Sequence, residues 1–192
     1  YEHAEGFCEL LSQRVKGGGF IKTLLLKRVG STMVAGRSTA EKMLNWGLQT
    51  ESIFDEDDEP YEDENTKNGK KKDDGSKEDT SAIKDLTEEE RNYLKGFINT
   101  LEANKDDDPK YALLLSLLNE KGFADKGCII FSQYYDSAFW VAQKLSVDMK
   151  GTSIGLYAGG DKSGVINDGI YKKCSKEDIK LIQDSFGKLS DK

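Results

Sequence analysis

The sequence has a single histidine, His3, and three cysteines, Cys8, Cys128 and Cys174. The cysteines are far apart, odd in number and form no CxxC pair. A zinc site needs several His or Cys ligands at short spacing, and a disulfide framework needs an even, clustered set. Neither is expected, and a reducing cytoplasm is the compartment that fits. No apolar run reaches the roughly 20 residues of a membrane span, and no signal peptide is visible at Tyr1. A membrane partner is therefore not expected. No GxxxxGK(S/T) phosphate loop occurs. The nearest approach is Ala158-Gly159-Gly160-Asp161-Lys162-Ser163-Gly164, where Asp161 stands in the place of the glycine that must precede the lysine. The formal net charge of -7 argues against attachment of the whole surface to nucleic acid. A local basic groove stays open, because the acids are clumped.

What is present is a charged surface, a modest core and one prominent apolar run. Hydrophobic residues make up 36% of the chain and charged residues 33%. Gly127-Cys128-Ile129-Ile130-Phe131-Ser132-Gln133-Tyr134-Tyr135-Asp136 opens on a turn signal and closes on a polar cluster. Its length and β-branched content predict a strand buried on both faces, as in parallel sheets. Ala138, Val141, Ala142 and Leu145 then fall at helical spacing, with Asp136 as the expected N-cap. Thr152 to Tyr157 reads as a second strand. Strand, helix and strand in this order predict a right-handed βαβ unit. The loop at Gly159 to Gly164 would lie at a strand's carboxyl end, where open α/β sheets bind ligands. Its amides and Lys162 either hold a phosphate or form a turn with one exposed lysine.

Upstream, Glu2 to Val15 reads as a short amphipathic helix that Gly17-Gly18-Gly19 ends. A helical pattern runs from Phe20 to Trp46, with a break expected near Gly30-Ser31-Thr32. Residues 51–84 change character. Asp55 to Glu59 is unbroken acid, and Lys70-Lys71-Lys72 precedes Asp73-Asp74. Such a stretch buries too little to offset its ordering entropy, so a disordered acidic insertion is expected. Thr87 and Glu90 have capping-box spacing ahead of Tyr93, Leu94, Phe97, Ile98 and Leu101. Asp106-Asp107-Asp108-Pro109 opens another helix, whose Leu113, Leu114, Leu117 and Leu118 are expected to face the core. Ser175 to Lys188 predicts a last helix, with Ile179, Ile182 and Phe186 inward. The start at Tyr1 without Met, and the end at Lys192, give the expectation of a piece of a longer protein.

Cys128-Ile129-Ile130-Phe131-Ser132-Gln133-Tyr134 resembles motif IV of superfamily-two helicases of the SWI/SNF type. Asp108-Pro109-Lys110 with the leucines after it looks like the helix that precedes that motif. Tyr157-Ala158-Gly159-Gly160 is similar to the next strand and loop. Leu25 to Thr32, with Ala35 and Thr39, resembles the helical element that joins the two lobes. The resemblance implies an α/β fold, an incomplete RecA-like (P-loop NTPase-like) parallel sheet with flanking helices, preceded by a helical segment. It divides the chain into an inter-lobe linker at 1–50, the acidic insertion at 51–84 and the first part of the C-terminal lobe at 85–192.

The parent would be an ATP-dependent DNA translocase, using ATP and Mg and working on DNA, double-stranded DNA rather than RNA, with the missing N-terminal RecA-like lobe as partner. No cofactor, catalytic residue or metal ligand is expected in this chain, which would be inactive alone. Ser132, Gln133, Tyr134, Gly159, Gly160 and Lys162 would contact the nucleic-acid backbone, since hydroxyls, amides and a lysine suit phosphate oxygens. Lys27 and Arg28 would act between the lobes. Each has another reading: Ser132 and Gln133 as caps of the turn, Tyr134 as a packing residue, and Lys27 and Arg28 as partners of acids on neighbouring helices. Two other functions stand beside the motor: a non-enzymatic α/β protein-interaction module, and a flavodoxin-like domain holding a phosphate ligand.

Overall fold

Amphipathic spacing sets which faces of the helices described in the first unit turn inward. A computed structural model describes residues 2–14, 18–45, 85–152, 154–159, 162–175, 177, 178 and 180. The expected acidic insertion, Gly160 and the inward residues Ile179, Ile182 and Phe186 lie outside them. The chain divides into two units, Tyr1–Asp108 and Pro109–Lys192. The first holds helices α1 (Glu2–Arg14), α2 (Gly18–Ser31), α3 (Met33–Asn45) and α4 (Glu88–Ala103). Each packs on the next, and α4 packs back on α1, so the four surround one core. On α1 the buried residues Ala4, Phe7, Cys8 and Leu11 follow the i, i+3, i+4, i+7 rule. Leu25, Met43, Leu94 and Phe97 join them. Full burial of such a side chain stabilises by roughly 1.5–3 kcal/mol.

Polar groups fix where these helices start. The break expected near Gly30 to Thr32 falls at Thr32, between α2 and α3. The Thr32 hydroxyl accepts from the Ala35 N–H at 3.1 Å, and Asp108 Oδ2 accepts from the Met33 N–H at 2.9 Å. Two otherwise unmatched donors of α3 are thereby satisfied. Thr87 and Glu90 form a complete capping box on α4. The same Glu90 carboxylate, buried, pairs with Arg14 at 2.9 Å and so ties the end of α1 to the start of α4. Where α2 and α3 meet, a Cβ on Gly36 would run into Val29, whose Cα is 3.0 Å from that position.

The second unit holds α5 (Pro109–Glu120), α6 (Phe123–Lys126), α7 (Tyr135–Asp148) and three short strands. The strands are β1 (Ile154–Leu156), β2 (Gly164–Asn167) and β3 (Ile170–Lys173). They form one sheet in the order β1-β2-β3, antiparallel throughout. Asp168 and Gly169, at φ of 48 and 78, make the two-residue turn between β2 and β3. That left-handed pair is the I′ geometry that matches strand twist. α7 lies on β1 and β2. Tyr111, Leu118 and Leu145 are the buried centre, with Trp140 edge-on to Tyr111 at a centroid distance of 5.4 Å. The Tyr111 hydroxyl donates to Asp148 Oδ2 at 2.5 Å and pins α5 to α7.

These observations correct the expected fold. The described sheet has three strands and no parallel pair, so it is not a RecA-like P-loop sheet, and the helicase resemblance falls with it. The flavodoxin-like frame needs the same missing parallel arrangement. The physical reason is chain connectivity. β1 pairs with β2 through a short loop and β2 with β3 through a two-residue turn, and such local closures cost the least entropy. Cys128 to Phe131, expected as the central strand, is in no strand, and residues 127–133 are all exposed. Two further expectations change. Helix α7 is capped at Tyr134, with Asp136 inside its first turn. On α5, Leu118 is buried and Leu114 packs on the core, but Leu113 and Leu117 are exposed at 61% and 37%, and Tyr111 is buried as well.

Candidate functional site

The residues singled out in the sequence gather at the start of α7 and in the loop after β1. Ser132 is exposed, and its hydroxyl accepts from the Tyr134 N–H at 3.3 Å and donates to the Tyr134 carbonyl at 3.0 Å. It thus braces the residue that caps α7. Gln133 is exposed and Tyr134 is buried. In the loop, Gly159 accepts the Lys162 N–H at 3.2 Å. Ser163, buried, closes the loop: its hydroxyl accepts from the Ala158 N–H at 2.9 Å and donates to the Ala158 carbonyl at 2.7 Å. The Tyr171 hydroxyl donates to the carbonyls of Lys162 and Ser163 at 3.2 and 3.1 Å.

Lys162 brings the two groups together. Its Nζ lies 5.1 Å from the centroid of the Tyr135 ring, a cation–π contact. Tyr135 and Phe139 are neighbours on α7 at i, i+4, and Phe139 meets Tyr171 edge-on. Burial, then the nearby Tyr171 and Asp136, hold the Tyr135 phenol above its usual range. Lys27 and Arg28 are in the other unit, on α2, Lys27 exposed and Arg28 buried.

The chemistry available here is limited. Among the described residues no group of three or more His, Cys, Asp or Glu could hold a metal ion. In the first unit, Cys8, Glu9, Ser12, Gln13 and Lys22 line a shallow depression of about 270 Å³. Burial pushes the Cys8 thiol up to about 11, with Lys22 opposing and Glu5 adding to the shift, so it carries no thiolate at neutral pH. His3 packs against Tyr93. The ATP-driven helicase expected from the motif resemblance is overturned by the antiparallel sheet and by the lack of a P-loop. The terms that go with it, ATP-binding and hydrolase, are overturned on the same two findings. No helix among the described residues is long and apolar enough to cross a membrane.

What the second unit does present is apolar surface. Ile129, Ile130 and Phe131 are exposed at 62%, 46% and 90%. Among the described residues, the only exposed large apolar side chain of the first unit is Phe20. Residues 127–135 carry no charge, in a chain that is 33% charged. Sequence reasoning found this run but assigned it to the interior, because periodicity reports strand tendency and not the presence of neighbours. It placed Glu90 in a capping box with Thr87 but missed its ion pair with Arg14, and it missed the bond from the Met33 N–H to Asp108. Compared with known proteins, the chain matches no family model, no curated protein and no solved structure.

Proposed function

We propose that the chain is a non-enzymatic protein-interaction module, and that the uncharged run Gly127 to Gln133 in the second unit is its contact surface. The observation that supports this best is the 90% exposure of Phe131 beside exposed Ile129 and Ile130. Three adjacent large apolar side chains left in water form a surface of the kind that marks association sites. Residues 128–132 lie in no helix, turn or bend, and once such a run pairs as a strand its consecutive side chains point to opposite faces. With all three apolar, a partner gains by adding a strand to the run's backbone and covering its sides. The run has none of the devices that blunt an exposed edge: no lysine, no proline and no inward charge.

Random-peptide display against the immobilised chain tests the reading. Uncharged, branched-aliphatic, strand-forming peptides should be enriched, and Phe131→Asp should abolish their binding while circular dichroism stays unchanged. Enrichment that survives both Phe131→Asp and Ile129→Asp would put the surface elsewhere and defeat the reading.

A further inference from the structure

We infer that the run is self-complementary, and that its occupant is the same run of a second copy of this chain, paired antiparallel about Ile130. This rests on the reading of the run as a contact surface and adds its partner. Charge is the first argument. Each copy carries a net charge of -7, so two copies repel over most approaches. Residues 127–133 are exposed and uncharged, so two copies can meet there without opposing like charges.

Register is the second argument. In a two-fold antiparallel pair, residue i of one copy faces residue j of the other, and j faces i. Centring on Ile130 sets Ile130 opposite its own copy, Ile129 opposite Phe131 and Cys128 opposite Ser132, while Gly127, at a φ of 72, and the bend at Gln133 lie beyond the ladder. The three apolar residues Ile129, Ile130 and Phe131 then meet only one another. A shift of the centre by one residue sets Phe131 opposite Gly127, or Ile129 and Ile130 opposite the polar Gln133 and Ser132, so the apolar residues no longer cover one another. The central pairs join β-branched to aromatic side chains, a combination that stabilises antiparallel ladders.

Sedimentation of the whole chain over a range of concentrations, combined with cross-linking, tests this. A concentration-dependent dimer is expected, and added salt should strengthen it, because salt screens the repulsion between copies and the contact itself holds no ion pair. Phe131→Asp should leave a monomer of unchanged helix content; Ile129→Lys is the second variant and should do the same. Ser132→Cys under oxidation should give a covalent dimer, joined by a disulfide between the new thiol and Cys128 of the second copy. The two native Cys128 residues stand about 13 Å apart along such a ladder and should not link. Mass spectrometry of the tryptic peptides locates the bond. A dimer that ignores Phe131→Asp, or a Cys128–Cys128 disulfide, overturns the inference. A monomer at every concentration that still binds displayed peptides overturns the inference alone. A monomer that binds none overturns the contact surface as well.

Discussion

Glu90 is the residue with the most to hold. It is almost fully buried, accepts the Thr87 N–H at 2.7 Å and pairs with Arg14 through both Nε and Nη2. Glu90→Ala removes the side-chain half of the box and the ion pair together and leaves the Thr87 N–H unmet, while the backbone N–H at 90 keeps its bond to the Thr87 hydroxyl. Arg14 is partly exposed, so water meets some of what it loses. A loss on the order of 2 kcal/mol is expected in urea denaturation followed by circular dichroism. Tyr111 gives a pH signature. Burial first, then the hydrogen bond and charge of Asp148, raise its phenol well above the ordinary 10. The folded state thus keeps the proton longer than the unfolded state does. The stability this gives is complete below about pH 10 and is lost as pH rises beyond it. Denaturation of the second unit, read by Trp140 fluorescence in a Trp46→Phe background, should show that alkaline fall. Tyr111→Phe should lessen it, leaving the share of the raised Tyr135 phenol, at a cost of about 1 kcal/mol at neutral pH. An equally steep fall in the variant would assign the effect to another group.

Contact between elements decides the next prediction. Gly36→Ala drives a methyl into Val29, including its backbone, where α2 and α3 meet. Overpacking of this kind costs roughly 1–3 kcal/mol, although alanine is the better helix former. A thermal melt that matches the parent chain would show that the helices part without penalty. The same comparison of elements shows what the sequence revealed. The helices of the first unit were legible because Phe7, Leu11, Leu94 and Phe97 repeat at helical spacing and Thr87 and Glu90 announce a start. The strand at Ile154–Leu156 was legible too, but its pairing was not. The antiparallel pairing of β2 with β3 followed from the Asp168–Gly169 turn, a two-residue signal that the βαβ reading passed over. The run at Cys128 was legible as strand-forming and illegible as exposed, since burial depends on what lies beside it. Leu113 and Leu117 failed for a related reason: α5 is apolar around most of its girth, and spacing cannot choose which stripe turns inward.

On the scale of the whole molecule, the two units differ in how much they bury. Twelve buried side chains of four helices share the first core, whereas Tyr111, Leu118 and Leu145 form the buried centre of the second. Amide exchange should therefore be slowest in the middle of α1 and α4 and faster in β1 to β3, and the reverse order would show that the sheet is the stronger part. The boundary between the units is the peptide bond from Asp108 to Pro109. It is also the sole Asp–Pro bond of the sequence. That linkage hydrolyses in warm dilute acid faster than any other, because the aspartyl carboxyl attacks its own carbonyl and proline is a basic leaving group. With the Asp108 carboxylate engaged by the Met33 amide, scission waits on unfolding, and the denatured chain should then split into two fragments at the seam between its domains.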